Sequence, residues 1–267
     1  MKWMGTAFLA AALALTSAAA RADDLIGMVQ KAGVLKVGMA PSPSDQSPNP
    51  ESGEYEGYNV EMAGEIAKIM NVKLEIVPAT WATLVSGLAA KQYDIVFANL
   101  FATPERALVV SFTQPYAFNG FMVMVGKDSP LKSLDQLDAA DVTFVGMSGS
   151  VESIYPQTLY PKSHTKVLVG ENVAAPAQEV LAGRASAHMI DPTTYAVLKS
   201  QNPDLAAKTR LLNDADHLLK PVGLSYAVRP EDTHMLNFLN VFIQDRINNG
   251  EYKALRQKWL DKLSEKK

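Results

Sequence analysis

The stretch YNVEMAGEIAKIMNVKLEIVPATWATLVSGLAAKQYDIVFANLFATPER, residues 58–106, decides the fold because its hydrophobic period changes three times. VEMAGEIAKIM (60–70) repeats apolar residues at helical spacing, and VKLEIVP (72–78) is short and rich in β-branched residues. LVSGLAA (84–90) is again helical, and DIVFANL (94–100) is again strand-like. With VLKVGM (34–39) ahead of it, this is the βαβ rhythm that builds a mostly parallel sheet covered by helices. The stretch ends on a helix start, with Thr103 as N-cap and Pro104 at the first helical position. That start places Arg106 in a first turn, where partial positive charge already collects, so an anion is expected to offset it.

Downstream the rhythm resumes. FMVMVG (121–126), VTFVGM (142–147) and KVLVG (166–170) read as strands, followed by a helix near 173–182, AHMID (187–191) and a helix from Pro192. Two such series predict two α/β lobes. After VGLSYAV (222–228) the pattern changes to two helices with no strand between them. Met235, Leu236, Leu239, Phe242, Ile243 and Ile247 form one core-facing stripe, and Tyr252, Leu255, Trp259, Leu260 and Leu263 the next. The Pro/Ser-rich segment 40–57 directly follows the first strand, where open α/β sheets place ligand loops; loop punctuation is the alternative.

The first 22 residues read separately: a lysine near the start, an apolar run through Leu15, and Ala20-Arg21-Ala22 as an A-x-A cleavage pattern. This predicts a secretory signal peptide cleaved after Ala22, since the run falls short of the ~20 apolar residues of a membrane span. Its removal takes away Lys2 and Arg21 and no acid, moving the formal net charge from −3 to −5. Such a balance gives no electrostatic case for nucleic acid or an anionic membrane. With no cysteine there are no disulfides, thiolate metal sites, cysteine nucleophile or lipidated N-terminal cysteine. The simplest expectation is a protein soluble in an extracytoplasmic space.

Signatures of catalysis are weak. GMSGS (146–150) lacks the final glycine of a nucleophile elbow, and His164, His188, His217 and His234 have no helical metal-ligand spacing. No phosphate loop or dinucleotide fingerprint occurs, so no catalytic residues, metal or cofactor are expected. What remains is a pair of opposite charges. The guanidinium of Arg106 offers two parallel donors that match a carboxylate, although a surface residue or internal ion pair is its rival reading. Asp191 ends a strand just before Pro192, so it caps the next helix through the N–H groups of Thr193 and Thr194. A carboxylate has lone pairs enough to do this and still accept from an ammonium group.

Taken in order, GVLKVGM, the stretch quoted above with TPER, LAGRASAHMID, VGLSYAVRPED and NNGEYKALRQKWL cover nearly the whole mature chain. The sequence resembles the periplasmic solute-binding proteins of polar amino acid ABC importers (family 3 extracellular solute-binding proteins). The resemblance implies a type II periplasmic-binding-protein fold, two α/β lobes joined by a two-strand hinge. The crossings are expected near 116–121 and 213–222, giving 23–118 with 222–267 as lobe 1 and 119–221 as lobe 2. It implies ligand contacts from Arg106 to a carboxylate and from Asp191 to an amine. Trp81 would pack over the ligand, against a plain core role as its rival; strand-end backbone contacts would come from around Asn99 and Phe101, and turn contacts from Gly149, Ser150 and Val151. Phe101 and Val151 stand where the family favours hydroxyl residues, and Asn59 and Glu61 replace two acids, which bears on structure more than ligand. The implied function is a monomeric periplasmic receptor that closes around an amino acid or derivative and delivers it to a membrane permease. A cyclohexadienyl dehydratase-like enzyme and a sensory binding protein are the alternatives.

Overall fold

The computed structural model describes residues 24–43, 45–170 and 172–265, without the side chains of 263–265. The expected signal peptide, residues 1–22, and the Leu263 side chain lie outside the described part. Helix α1 (Leu25–Ala32) leads into β1 (Val34–Met39). A small hairpin, β2 (Ser47–Pro48) with β3 (Tyr55–Glu56), lies inside the Pro/Ser-rich segment and precedes α2 (Tyr58–Ile69). Then come β4 (Lys73–Pro78), α3 (Leu84–Ala89), β5 (Ile95–Phe101), the one-turn α4 (Pro104–Ala107) and β6 (Ser111–Phe112). The second series comprises β7 (Ala117–Gly126), β8 (Thr143–Met147), α5 (Val151–Leu159), β9 (His164–Leu168), α6 (Ala175–Leu181), β10 (Ala187–Ile190), α7 (Pro192–Gln201), α8 (Pro203–Lys208) and β11 (Thr209–Leu211). The chain returns through β12 (Leu219–Val228) and finishes on α9 (Thr233–Asn248) and α10 (Glu251–Glu265).

The strands pair in the order β4-β1-β5-β12-β7-β10-β8-β9, with β6 beside β12 and β11 beside β7. At either end the sheet is parallel: β1 pairs β4 and β5, and β8 pairs β9 and β10. In the middle β7 and β12 run antiparallel, with Phe118 opposite Gly223 and Asn119 opposite Val222. Each is ten residues long. That length lets each strand belong to both halves: β12 also pairs β5, and β7 also pairs β10. Two α/β lobes joined by a two-strand connection result.

Both faces of each half are covered, which is why the strands read as nearly continuous apolar runs. In β5, Ile95 and Phe97 face a core with α2 and α9, while Val96, Ala98 and Leu100 face a second core with Leu84 and Leu88 of α3. In the other half Phe144 faces the first core, and Val145 faces a third with Ala177, Val180 and Leu198. The terminal stripes hold with one exception: Met235, Leu239, Phe242 and Ile243 are buried, but Ile247 lies near the end of α9 and is 39% exposed. Glu61 bonds Lys258 and the Trp259 indole, fastening α10 to α2 in a structural role.

Candidate functional site

Two strand ends and the turns that leave them face each other across the middle of the molecule. Between them lies a cavity of about 80 Å3, lined by Trp81, Asn99, Phe101, Arg106, Ser150, Val151 and Asp191 among others. Seven of the eight expected site residues therefore share one space. Gly149 does not line it, but its carbonyl oxygen accepts a bond from Arg106.

Arg106 sits where its local sequence places it. Thr103 caps α4 through its side chain, accepting from Arg106 N (3.4 Å), and Pro104 opens the turn. The helix is only four residues long, so the charge accumulated at its start is small. What offsets the guanidinium within the protein is a pair of carbonyl dipoles: Nη1 donates to Phe101 O (2.9 Å) and Nη2 to Gly149 O (2.9 Å). The first partner lies at the end of β5 and the second in the turn after β8, so this side chain already ties the two halves together. Among the described residues, its other N–H donors make no hydrogen bond. Burial pushes its pKa down from the usual arginine value, while the carboxyl of Glu152 acts the other way.

Gly149 makes that approach sterically possible. Its φ of 76° is left-handed, and a Cβ there would collide with the backbone of Trp81 and Ala82. Ser150, the N-cap position of α5, donates its hydroxyl to Met147 O (2.9 Å). Trp81 donates its indole N–H to Pro41 O (3.2 Å), so ring carbon is what it offers the cavity.

Asp191 caps α7 as expected, accepting from Thr193 N (2.9 Å) and Thr194 N (3.1 Å). Asn119, on β7, also donates to it (3.1 Å). All three bonds go to Oδ1; among the described residues Oδ2 accepts none.

The side chain of Asn99 is a structural node. Its amide oxygen accepts from the hydroxyls of Tyr58 (2.7 Å) and Tyr116 (2.7 Å) and from Asn59 Nδ2 (2.9 Å), while its amide nitrogen donates to Asp45. Asn59 in turn donates to Gln46 and accepts from Tyr226, and Gln46 donates to Ala40 O. These contacts carry Asp45, which is 4% exposed, to the cavity wall, where Ser42 also donates to it. Gly57 allows the chain to pass, since a Cβ there would collide with the Asp45 carbonyl.

Asp45, Asn119, Glu152 and His188 also line the cavity and were not read from the sequence as site residues. Glu152 follows the expected turn directly, but an acid in a helix's first turn is ordinary dipole chemistry. Burial raises its pKa, opposed by bonds to its own N–H and to Ser150. His188 is buried on β10 and its Nδ1 lies 2.9 Å from Val145 O. A carbonyl can only accept, so Nδ1 carries the proton and Nε2 is the acceptor. Burial lowers its pKa to about 4. No cluster of metal-ligating side chains and no helix long and apolar enough to cross a membrane occurs among the described residues.

Residues 35–262 match the family model for bacterial extracellular solute-binding proteins, family 3, and the chain belongs to that family. It is 26% identical over 209 residues to the arginine-binding extracellular protein ArtP of Bacillus subtilis, covering 78% of this chain and 79% of that one. It is also 25% identical over 202 residues to a cyclohexadienyl dehydratase of Pseudomonas aeruginosa, covering 74% and 75%. Among solved structures, the ancestral amino acid-binding protein AncCDT-1, a precursor of cyclohexadienyl dehydratase, superposes with a TM-score of 0.76 at 28% identity. That match covers 89% of this chain and 99% of the other.

Proposed function

We propose that this protein is an extracytoplasmic receptor that binds an amino acid-like zwitterion between its lobes, closes around it and presents it to an ABC importer. One observation carries the reading: Arg106 and Asp191, opposite in charge and supplied by opposite halves of the sheet, line the same small cavity. The α-carboxylate binds Arg106 and the backbone N–H of Val151, with Ser150, whose own N–H is held by Met147 O, lining the pocket beside them, and the ammonium binds Asp191 Oδ2. Trp81 packs over the ligand, and Phe101 and the Asn99 strand end form the floor. Relatives that bind amino acids, ArtP and AncCDT-1, support the substrate class.

The lobes are taken as 23–118 with 222–267 and 119–221, because β7 and β12 alone are long enough to run through both halves. Ligand contacts to both halves stabilise the closed arrangement over the open one by hinge closure. Arg106 bridging to Gly149 O is the protein's own part of that closure. The receptor acts as a periplasmic monomer after cleavage at Ala22, binds no nucleic acid, and has the importer's permease as its macromolecular partner.

A thermal-shift screen over the amino acids, with calorimetry on each hit, tests the assignment. At least one compound with an α-carboxylate should raise the melting temperature, and Arg106→Ala should weaken its binding at least about a hundredfold. That factor is the loss of one to two charge-assisted bonds. If nothing with an α-carboxylate stabilises the protein, or if the variant keeps its affinity, the assignment is wrong. Glu152 gives the enzymatic alternative a concrete candidate, a half-buried carboxyl with a raised pKa in the same cavity lining as Arg106, alongside a dehydratase relative. Incubation with prephenate or arogenate, followed by ultraviolet absorbance, decides it; a binding protein leaves both unchanged.

A further inference from the structure

We propose that Asn119 is a positioning residue for ligand binding: from the crossing strand β7 it holds the Asp191 carboxylate so that Oδ2 meets the ligand's ammonium, and it does so only while the lobes are closed. The inference rests on the reading of the cavity given above and adds how the grip on the ammonium is made to depend on the hinge. Asn119 lines the cavity and uses both ends of its side-chain amide. Its Oδ1 accepts from Gly120 N (3.0 Å) and its Nδ2 donates to Asp191 Oδ1 (3.1 Å). The first bond settles which way the amide faces, because only the oxygen can accept from a backbone N–H. The nitrogen end is thereby aimed at Asp191.

What Asn119 adds to Asp191 differs in kind from its other support. Thr193 N and Thr194 N belong to α7, which begins at the residue after Asp191, so these two bonds travel with the acid wherever lobe 2 goes. They hold Oδ1 from the helix side and leave the carboxylate free to swing about that oxygen. Asn119 approaches from another element. Three donors on one oxygen, from two elements, fix the plane of the carboxylate, and Oδ2 then points in one direction, open to an N–H donor. A carboxylate set in advance loses less freedom on binding than one that the ligand must order.

The place of Asn119 in the fold ties this to the hinge. It lies opposite Val222 where β7 and β12 cross between the lobes, and β10, whose Ile190 pairs with Met122 of β7, delivers Asp191 beside the same crossing. The crossing is irregular at this level. From Leu219 to Val222 β12 advances three residues while β7 advances two, from Phe121 to Asn119, and the bulge carries Lys220 at a left-handed φ of 47°. A Cβ at Gly120 would stand 2.8 Å from Leu219 O, so the two strands are in backbone contact there. A bulge bends the strand that carries it, and a strand pair yields most readily where its ladder is interrupted. Opening the lobes about this point turns Asn119 relative to β10 and draws its amide off Asp191, while the two α7 bonds persist.

Calorimetry and stopped-flow kinetics on the mature protein, with each of the standard L-amino acids that binds it, test the proposal. Asn119→Leu should lower affinity about tenfold, the worth of one bond to a charged group, through faster dissociation, with the association rate within about twofold of wild type. Asn119→Asp keeps the volume and the bond from Gly120 N but, ionised at about pH 8, has no donor to offer Asp191. It should lose at least as much as Asn119→Leu, which separates the donor from any structural role of the side chain. In an Asp191→Ala background, Asn119→Leu should change affinity less than about twofold. A loss that persists there means that Asn119 touches the ligand itself, and overturns the positioning role. Wild-type affinity in either single variant overturns it as well. A loss carried by the association rate overturns the link to closure. If no amino acid binds the wild type, the underlying reading fails and this one with it.

Discussion

The two halves of the molecule each hold an acid at the cavity, and they hold it by different means. In lobe 2, Asp191 is fixed by its own helix: two backbone N–H groups and Asn119 all bond one oxygen. In lobe 1, Asp45 stands on a loop and is held by the nearby Ser42 hydroxyl and by Asn99, which is itself held by residues 17, 40 and 41 positions away in sequence. Local support needs few residues and survives the loss of one. Long-range support is cooperative, so a single amide in the middle carries several bonds at once.

That difference should be largest in stability. Asn99→Leu keeps the volume but takes away the acceptor of the Tyr58 hydroxyl, the short bond of Tyr116 and one of the two bonds of Asn59 Nδ2, and leaves Asp45 without its Asn99 donor. At ~1–3 kcal/mol for each buried unsatisfied group, a loss of about 4 kcal/mol is expected. Asn119→Leu removes one of three bonds to Asp191 Oδ1 and should cost about 1 kcal/mol. Urea unfolding of the two variants compares them, and equal losses would erase the distinction between the halves.

A second contrast is sensitivity to acid, which the lobe 2 wall carries through His188. Its folded pKa lies near 4, below the usual 6.5, so the unfolded chain takes up a proton that the folded one refuses. Stability is therefore complete above pH 6.5 and falls as pH drops toward 4, by on the order of 3 kcal/mol from this group. Glu152 works in the opposite sense, since a raised pKa means protonation favours the folded state. His188→Asn should flatten the wild-type decline between pH 6.5 and 4, read from urea midpoints across that range. A parallel decline in the variant would place the acid sensitivity elsewhere.

The smallest effect concerns how the halves are held together away from the cavity. Arg256 on α10 donates to the Thr193 hydroxyl (2.8 Å) in the first turn of α7, next to Asp191. Arg256→Ala should raise the ligand's dissociation rate a few-fold, under about 1 kcal/mol, with the association rate unchanged. Stopped-flow release would show it, and an unchanged rate would mean that α10 takes no part in closure.

The same contrast accounts for what could be read in advance. Arg106 and Asp191 were legible because each sits beside its own helix-start signature, Thr103-Pro104 and Asp191-Pro192. Asp45 was not, because a Pro/Ser-rich loop has no period and its acid looks like any solvated turn residue. Asn99 was expected to act through the strand-end backbone, yet its side chain carries the structure. Its partners come from α2, the loop before β2 and the residue just before β7, which no local window contains.

By itself the sequence determined the alternation of strands and helices, the two-lobed architecture, the caps at Thr103 and Asp191 and the family. The alternation and the caps follow from periodicities and capping chemistry acting within about ten residues, and the family from the resemblance of motifs set in order along the chain. Only the tertiary structure decided that Arg106 reaches Gly149 O across the cleft, that Gly149 must lack a side chain beside Ala82, and that Asp45 stands at the cavity wall. Those outcomes depend on close packing and on buried hydrogen bonds between segments far apart in the chain, whose energies exist only once the fold has brought the partners together.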